Sequence, residues 1–180
     1  MAGRNHRRRR GSGFTLFEIA ITIAILILAV ASTSAATISL SALRRENRES
    51  AIAQDAARVL ADRVLALGRG RSGSTGGWAR DVTDLVCTPN SLGVAFDVPG
   101  LEPLEGMAHV GSITFIVDET RTDLELGVPL GMPRDLDGDG FTDGTNVLST
   151  ARLLPAIIEL RWQGVRGEQR LVHPFLVVGY

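Results

Sequence analysis

Arg7-Arg8-Arg9-Arg10-Gly11-Ser12-Gly13-Phe14-Thr15-Leu16-Phe17-Glu18-Ile19 opens the stretch that decides the fold, and it continues as AITIAILILAVASTSAATISLSAL from Ala20 to Leu43. No charged side chain occurs from Ile19 to Leu43, a run of 25 positions. As a helix with ~1.5 Å of rise per residue, the run is about 37 Å long. That exceeds the roughly 30 Å hydrocarbon core of a bilayer, so the segment can span one. Glu18 is the unusual residue, because a carboxylate at the centre of a spanning helix costs roughly 2.5 to 3.5 kcal/mol. If the chain is cut between Gly13 and Phe14, the new α-amine lies four positions before Glu18, one helical turn away, where opposite charges meet.

Three simpler readings compete with this one. A secretory signal has a short apolar region followed by a small-residue cleavage site, which Ala31 to Ala36 would supply, but Glu18 just inside the apolar region argues against it. A plain signal anchor fits the length and leaves both Glu18 and the Gly-Phe-Thr-Leu junction unexplained. A twin-arginine signal fits the four arginines and not the long, strongly hydrophobic run that follows. Five arginines precede the run and place the leader in the cytoplasm, though Arg44, Arg45 and Arg48 beyond it keep that bias modest.

The Arg-rich leader, Gly13 and Phe14-Thr15-Leu16-Phe17-Glu18 together resemble the class III signal of type IV pilins and type II secretion pseudopilins. The resemblance implies cleavage after Gly13 by prepilin peptidase, N-methylation of Phe14 by the same enzyme, and a docking role for Glu18 during subunit assembly. Phe17 stands where that family more often has Ile or Val. The match is specific up to about Leu67. The alanine-rich run Ala51 to Leu67 and the late Trp-Gln-Gly-Val-Arg-Gly-Glu-Gln-Arg segment are similar to minor pilins and minor pseudopilins. The family also implies an inner-membrane, single-pass subunit with a cytoplasmic N-terminus and a periplasmic or filament-borne C-terminal domain. Its partners would be the peptidase, the inner membrane and other pilin or pseudopilin subunits.

Charge supports export over nucleic-acid binding. Five of the 19 basic residues and none of the 20 acidic ones lie in the first 13 positions, which leaves a net charge of −6 beyond them. Phosphate recognition needs clustered Lys and Arg, so no nucleic-acid partner is expected. Cys87 is the single cysteine, so no intrachain disulfide forms. Many pilins close a C-terminal loop with such a bond, and this chain departs from them there. The thiol reads as a small buried hydrophobe.

Past the apolar run, Ile52, Ala56, Val59, Leu60, Val64 and Leu67 recur at spacings of three and four, an amphipathic stripe with Asp55, Arg58, Asp62 and Arg63 opposite. Gly68 to Gly77 is Gly-rich and reads as the loop that stops the helix. Short β-rich segments follow: Leu92 to Val98, Val110 to Val117 and Asp123 to Val128. Ala156 to Gln163 alternates apolar and polar residues, Gly164-Val165-Arg166-Gly167 turns the chain, and Glu168 to Val178 returns as a hairpin. The expected organisation is a leader over 1–13, a transmembrane and assembly helix over 14–67, a loop over 68–77 and a β-rich domain over 78–180. The expected fold is α+β and pilin-like, a long helix packed through its amphipathic half on a C-terminal antiparallel sheet.

One loop carries metal-binding spacing. Asp135, Asp137, Asp139 and Asp143 occupy relative positions 1, 3, 5 and 9, with Gly140 at 6 and the Phe141 carbonyl at 7, as in a calcium loop. Asn146 stands where an EF-hand has a bidentate Glu, and no amphipathic helices flank the loop. A dockerin-like or thrombospondin-repeat-like turn is the nearer comparison. A structural Ca²⁺ is therefore expected, against the simpler reading of a solvated Asp-Gly turn. No organic cofactor is expected.

Catalytic chemistry has no sequence support. His6, His109 and His173 are scattered without metal-ligand spacing. The Gly68 to Gly77 run lacks the Lys-Ser/Thr ending of a phosphate loop. Trp78 and Trp162 read as core residues or surface anchors and not as binding platforms. The chain is expected to be a structural subunit, with a membrane-anchored calcium-binding module that never polymerises as the alternative, and not an enzyme.

Overall fold

The structure is a computed structural model that describes residues 15–70, 77–87 and 94–179. In chain order its elements are α1 (Leu16–Gly70), α2 (Trp78–Cys87), β1 (Ala95–Phe96), β2 (Gly111–Phe115), α3 (Asp123–Leu126), β3 (Leu153–Gly164) and β4 (Gly167–Val178). The chain divides into two compact units, residues 1–44 and 45–180.

In the first unit, the described residues form the apolar part of α1. Its large side chains are exposed, with Leu16 at 87% and Leu28 at 70%. The helix is long and apolar enough to cross a membrane, and none of its most apolar window is buried. That exposure separates it from the core helix of a soluble domain and fits a single-pass membrane segment. Thr15 begins the helix, its hydroxyl accepting from the Glu18 amide at 3.3 Å, and Glu18 lies in the first turn, where the helix dipole favours negative charge. Farther along, Ser32, Thr33, Ser34 and Thr37 return their hydroxyls to carbonyls four residues back, so they present no free donor.

The second unit holds one core. Ala53, Ala57, Ala61 and Val64 are the buried line of α1, and Val59 is 56% exposed. The buried face is therefore centred one residue away from the stripe read off the larger side chains. Alanines face inward because a short side chain lets the helix backbone come close to its neighbours. Gly68 takes this furthest, since a Cβ there would stand 2.6 Å from Val177 Cγ1 of β4.

The sheet is antiparallel with strand order β1-β2-β3-β4. The β3–β4 hairpin runs from Leu153 opposite Val178 to Gly164 opposite Gly167, with the turn where the sequence places it. Leu154, Ala156, Ile158, Leu160 and Trp162 point into the core, as period-two alternation requires. On the outer face Arg161 lies opposite Arg170, and each takes a diagonal acid: Arg161 pairs with Glu168, and Arg170 with Glu159 at 2.7 Å. Pro174 sits in β4, an edge strand, where a missing N–H is tolerated.

Four local expectations change. The helix α1 continues through Gly70, three residues past Leu67, and residues 71–76 of the Gly-rich run lie outside the described residues. Trp78–Cys87 is a helix in a region expected to be β-rich; Trp78, Ala79, Val82 and Val86 are buried along one face. The strand expected over Leu92 to Val98 reduces to Ala95–Phe96 among the described residues. Asp123 to Val128 is not a strand, because Thr122 and Glu125 form a reciprocal capping box that starts a short helix, and Gly127 closes it in the left-handed conformation at φ 68°. Both tryptophans are buried, and Trp78 Nε1 donates to the Gly68 carbonyl at 2.9 Å. The Cys87 side chain lies outside the described residues.

Asp123 ties the α3 segment together by accepting from the amides of Leu130, Gly131 and Met132 at 3.0, 3.0 and 2.8 Å. Those amides, the Met132 one foremost, hold its carboxyl below the usual carboxylate range. A carboxylate with a depressed native pKa contributes stability above its unfolded pKa and loses it as pH falls through the native one. Thermal stability should therefore drop as the solution is acidified below about pH 4. Asp123→Asn should make that acid limb shallower in a melting-temperature series against pH; an unchanged limb would contradict the assignment.

Candidate functional site

The described residues bring three carboxylates together. Oxygens of Glu119, Asp135 and Asp137 lie within 4.8 Å of one another. Two come from the Asp-rich loop and one from a segment 16 residues upstream. Glu119 is only 1% exposed. Its Oε1 accepts from the amides of Leu136 at 2.6 Å and Asp137 at 3.3 Å, and its Oε2 from Gly144 at 3.1 Å. Its own backbone donates to the Gly144 carbonyl at 2.9 Å, so both ends of the loop are tied to this one residue. Gly144 is required by close approach: a Cβ there would stand 2.4 Å from Val147 Cγ1 and 3.0 Å from Glu119 Oε2.

Asp135 closes the loop on itself. Its Oδ1 accepts from Gly138 at 2.5 Å and its Oδ2 from Gly140 at 2.8 Å. The Gly140 amide is the largest cause, followed by Gly138, of a carboxyl held below its ordinary range. Gly140 has φ 93°, which explains glycine at the sixth position of the loop. Asp137 accepts from the Asp139 amide at 3.2 Å and from the Thr150 hydroxyl at 2.9 Å.

The donor set suits a hard cation. An ionised carboxylate has about four lone-pair sites, and the amide and hydroxyl bonds leave some free on each of the three groups. Calcium takes six to eight oxygens, some of them from water, so three carboxylates form a partial shell. Asp135 and Asp137 lie where the spacing placed them. Asp139 and Asp143 are exposed and their carboxylates do not join the group; the Phe141 side chain is exposed, and its amide donates to Asp139 Oδ1 at 2.8 Å. The spacing of the Asp-rich loop gives no sign of Glu119. Its only signal is its place in the acidic pair Asp118-Glu119 after the apolar Ile116-Val117, too distant from the Asp-rich loop in the chain for any motif.

Of the residues expected at the other end, Gly13 and Phe14 lie outside the described residues. Glu18 is exposed in the first turn of α1. One further pair of titratable groups meets in the sheet domain: His109 Nδ1 lies 3.1 Å from Asp97 Oδ2, beside a cleft of about 380 Å³ bordered by Ser112, Glu159 and Arg161. Among the described residues, no hydroxyl or thiol is hydrogen-bonded to that ring, so it lacks the geometry of an activated nucleophile.

No known family model, curated protein or solved structure matches the chain. The functional reading therefore rests on this chain's own residues.

Proposed function

We propose that the protein is a prepilin-like structural subunit, cut after Gly13 and N-methylated at Phe14, that assembles through the apolar half of α1 into a type IV pilus or a type II secretion pseudopilus. The observation that carries this reading is one uninterrupted helix, Leu16–Gly70, with two kinds of surface. Residues 16–43 are apolar and almost wholly exposed, whereas the alanine line from Ala53 to Val64 is buried in a small α+β domain. The exposed part requires lipid or the same helix of other subunits, and the buried part requires a domain of its own. Glu18, the acid at the head of the apolar run, then serves as the partner of the terminal amine released by cleavage.

A bound calcium ion has a structural role in this reading. Glu119, Asp135 and Asp137 would hold it, and it would pin the loop between β2 and β3 against the sheet domain. The same cluster favours the second reading, an anchored calcium-binding module that remains monomeric. Processing separates the two. Co-expressed with a prepilin peptidase, the chain should lose its leader, and Gly13→Leu should leave it full length. Equal lengths for the two proteins would contradict the subunit reading.

A further inference from the structure

Between α1 and the tip of the β3–β4 hairpin lies a cleft of about 360 Å³, within the roughly 300–1,000 Å³ that small-ligand sites occupy. Every residue lining it belongs to the second unit. Three of its walls are charged, Arg45 and Glu49 from α1 and Glu102 from the segment before β2, and none of them forms an ion pair among the described residues. The Glu102 carbonyl accepts from the Gln163 amide at 2.9 Å, which fixes that segment to β3. Glu49 is partly buried against Gly164, where a Cβ would stand 3.2 Å from its Oε2, and that oxygen is buried with no hydrogen-bond partner. Arg45 stands one helical turn before Glu49, but a base placed N-terminal to an acid is the weaker order for a helical pair, and the two remain apart. Trp162 has the opposite need. It is 3% exposed, its indole extends from the core face of β3 into the space facing α1, and its Nε1 has no acceptor. An unmet donor and an unmet charged acceptor, each costly when buried, thus border one cleft together with an exposed base and an exposed acid.

We propose that this cleft binds a free α-amino acid with a cationic side chain, its α-ammonium on Glu49, its carboxylate on Arg45 and the Trp162 N–H, and its side-chain cation toward Glu102. Each charged group of the ligand answers one unpaired group of the walls. The walls carry one positive and two negative charges, and a basic amino acid carries the reverse. A guanidinium fork takes both oxygens of a carboxylate, and an indole N–H only donates, so Arg45 and Trp162 call for an anionic acceptor that a plain diamine lacks. The site lies wholly in the sheet domain and does not depend on filament assembly.

Isothermal titration of the full chain in detergent micelles with L-lysine tests the site. The wild type should bind saturably at one site per chain. R45Q and E49Q should each weaken binding by about tenfold or more, the loss of one charge-assisted hydrogen bond. R48Q, which changes an exposed arginine outside the cleft, should bind as the wild type does. Cadaverine, which is lysine without its carboxylate, and ε-aminocaproate, which is lysine without its α-amine, should each bind about tenfold more weakly or less. E102Q should weaken L-lysine and leave L-norleucine, which has no side-chain charge, unaffected. Arg45 and Glu102 are exposed, so their variants report on binding without disturbing the core. Absence of saturable L-lysine binding, equal affinity for cadaverine, undiminished binding by R45Q, or equal losses of lysine and norleucine in E102Q would overturn the site.

Discussion

Glu18→Gln is expected to abolish filament assembly while the chain stays in the membrane. Glutamine keeps the length of the side chain and its place in the first turn of α1, so the helix start made by Thr15 survives. What it removes is the negative charge. In the proposed assembly that charge meets the α-amine of a processed Phe14 away from water, and removing one partner of a buried pair costs about 3–5 kcal/mol, because the other charge remains uncompensated. At 1.4 kcal/mol per factor of ten, surface filaments should fall by about two orders of magnitude or more. Immunoblots of sheared surface fractions measure the filament, and carbonate-resistant membrane fractions measure insertion. Normal filaments from the glutamine variant would leave Glu18 as no more than a favourable charge at a helix start, worth about 0.3–1 kcal/mol.

Glu119→Ala is expected to be the most destabilising single change in the globular domain's loops. The side chain accepts from three backbone amides, of which Leu136 is fully buried. An orphaned buried donor costs about 1–3 kcal/mol. With water reaching the partly buried pair, the total loss should be about 3–5 kcal/mol in urea unfolding. A loss below about 1 kcal/mol would show that the loop does not depend on this residue. The metal reading adds a second measurement. Calcium should raise the melting temperature of the wild type and a chelator should lower it, whereas Asp137→Asn should blunt the response and leave the three Glu119 hydrogen bonds in place. A wild-type melting temperature indifferent to both would remove calcium from the account.

Long-period features of this chain could be read before its structure was known. The 25-residue uncharged run and the alternation around Ile158, Leu160 and Trp162 each repeat one physical signal many times, so α1 and the final hairpin stand where they were expected. Short elements were less legible. Trp78–Cys87 carries its apolar residues at helical spacing, but ten residues behind a glycine run offer few repeats to distinguish helix from strand. The segment Asp123–Leu126 misled through its apolar Leu124 and Leu126, while the deciding pair, Thr122 and Glu125, is polar and acts through hydrogen bonds to the backbone. At the candidate metal centre, regular spacing identified Asp135 and Asp137. It could not identify Glu119, which reaches them only because the chain folds back across the loop.

The most direct measurement is intact and N-terminal peptide mass spectrometry of the protein purified from membranes of its native host. The expected mature chain begins at Phe14 and carries one methyl group on its α-amine. A chain that still begins at Met1, or one cut after the small residues between Ala31 and Ala36, would contradict the subunit reading.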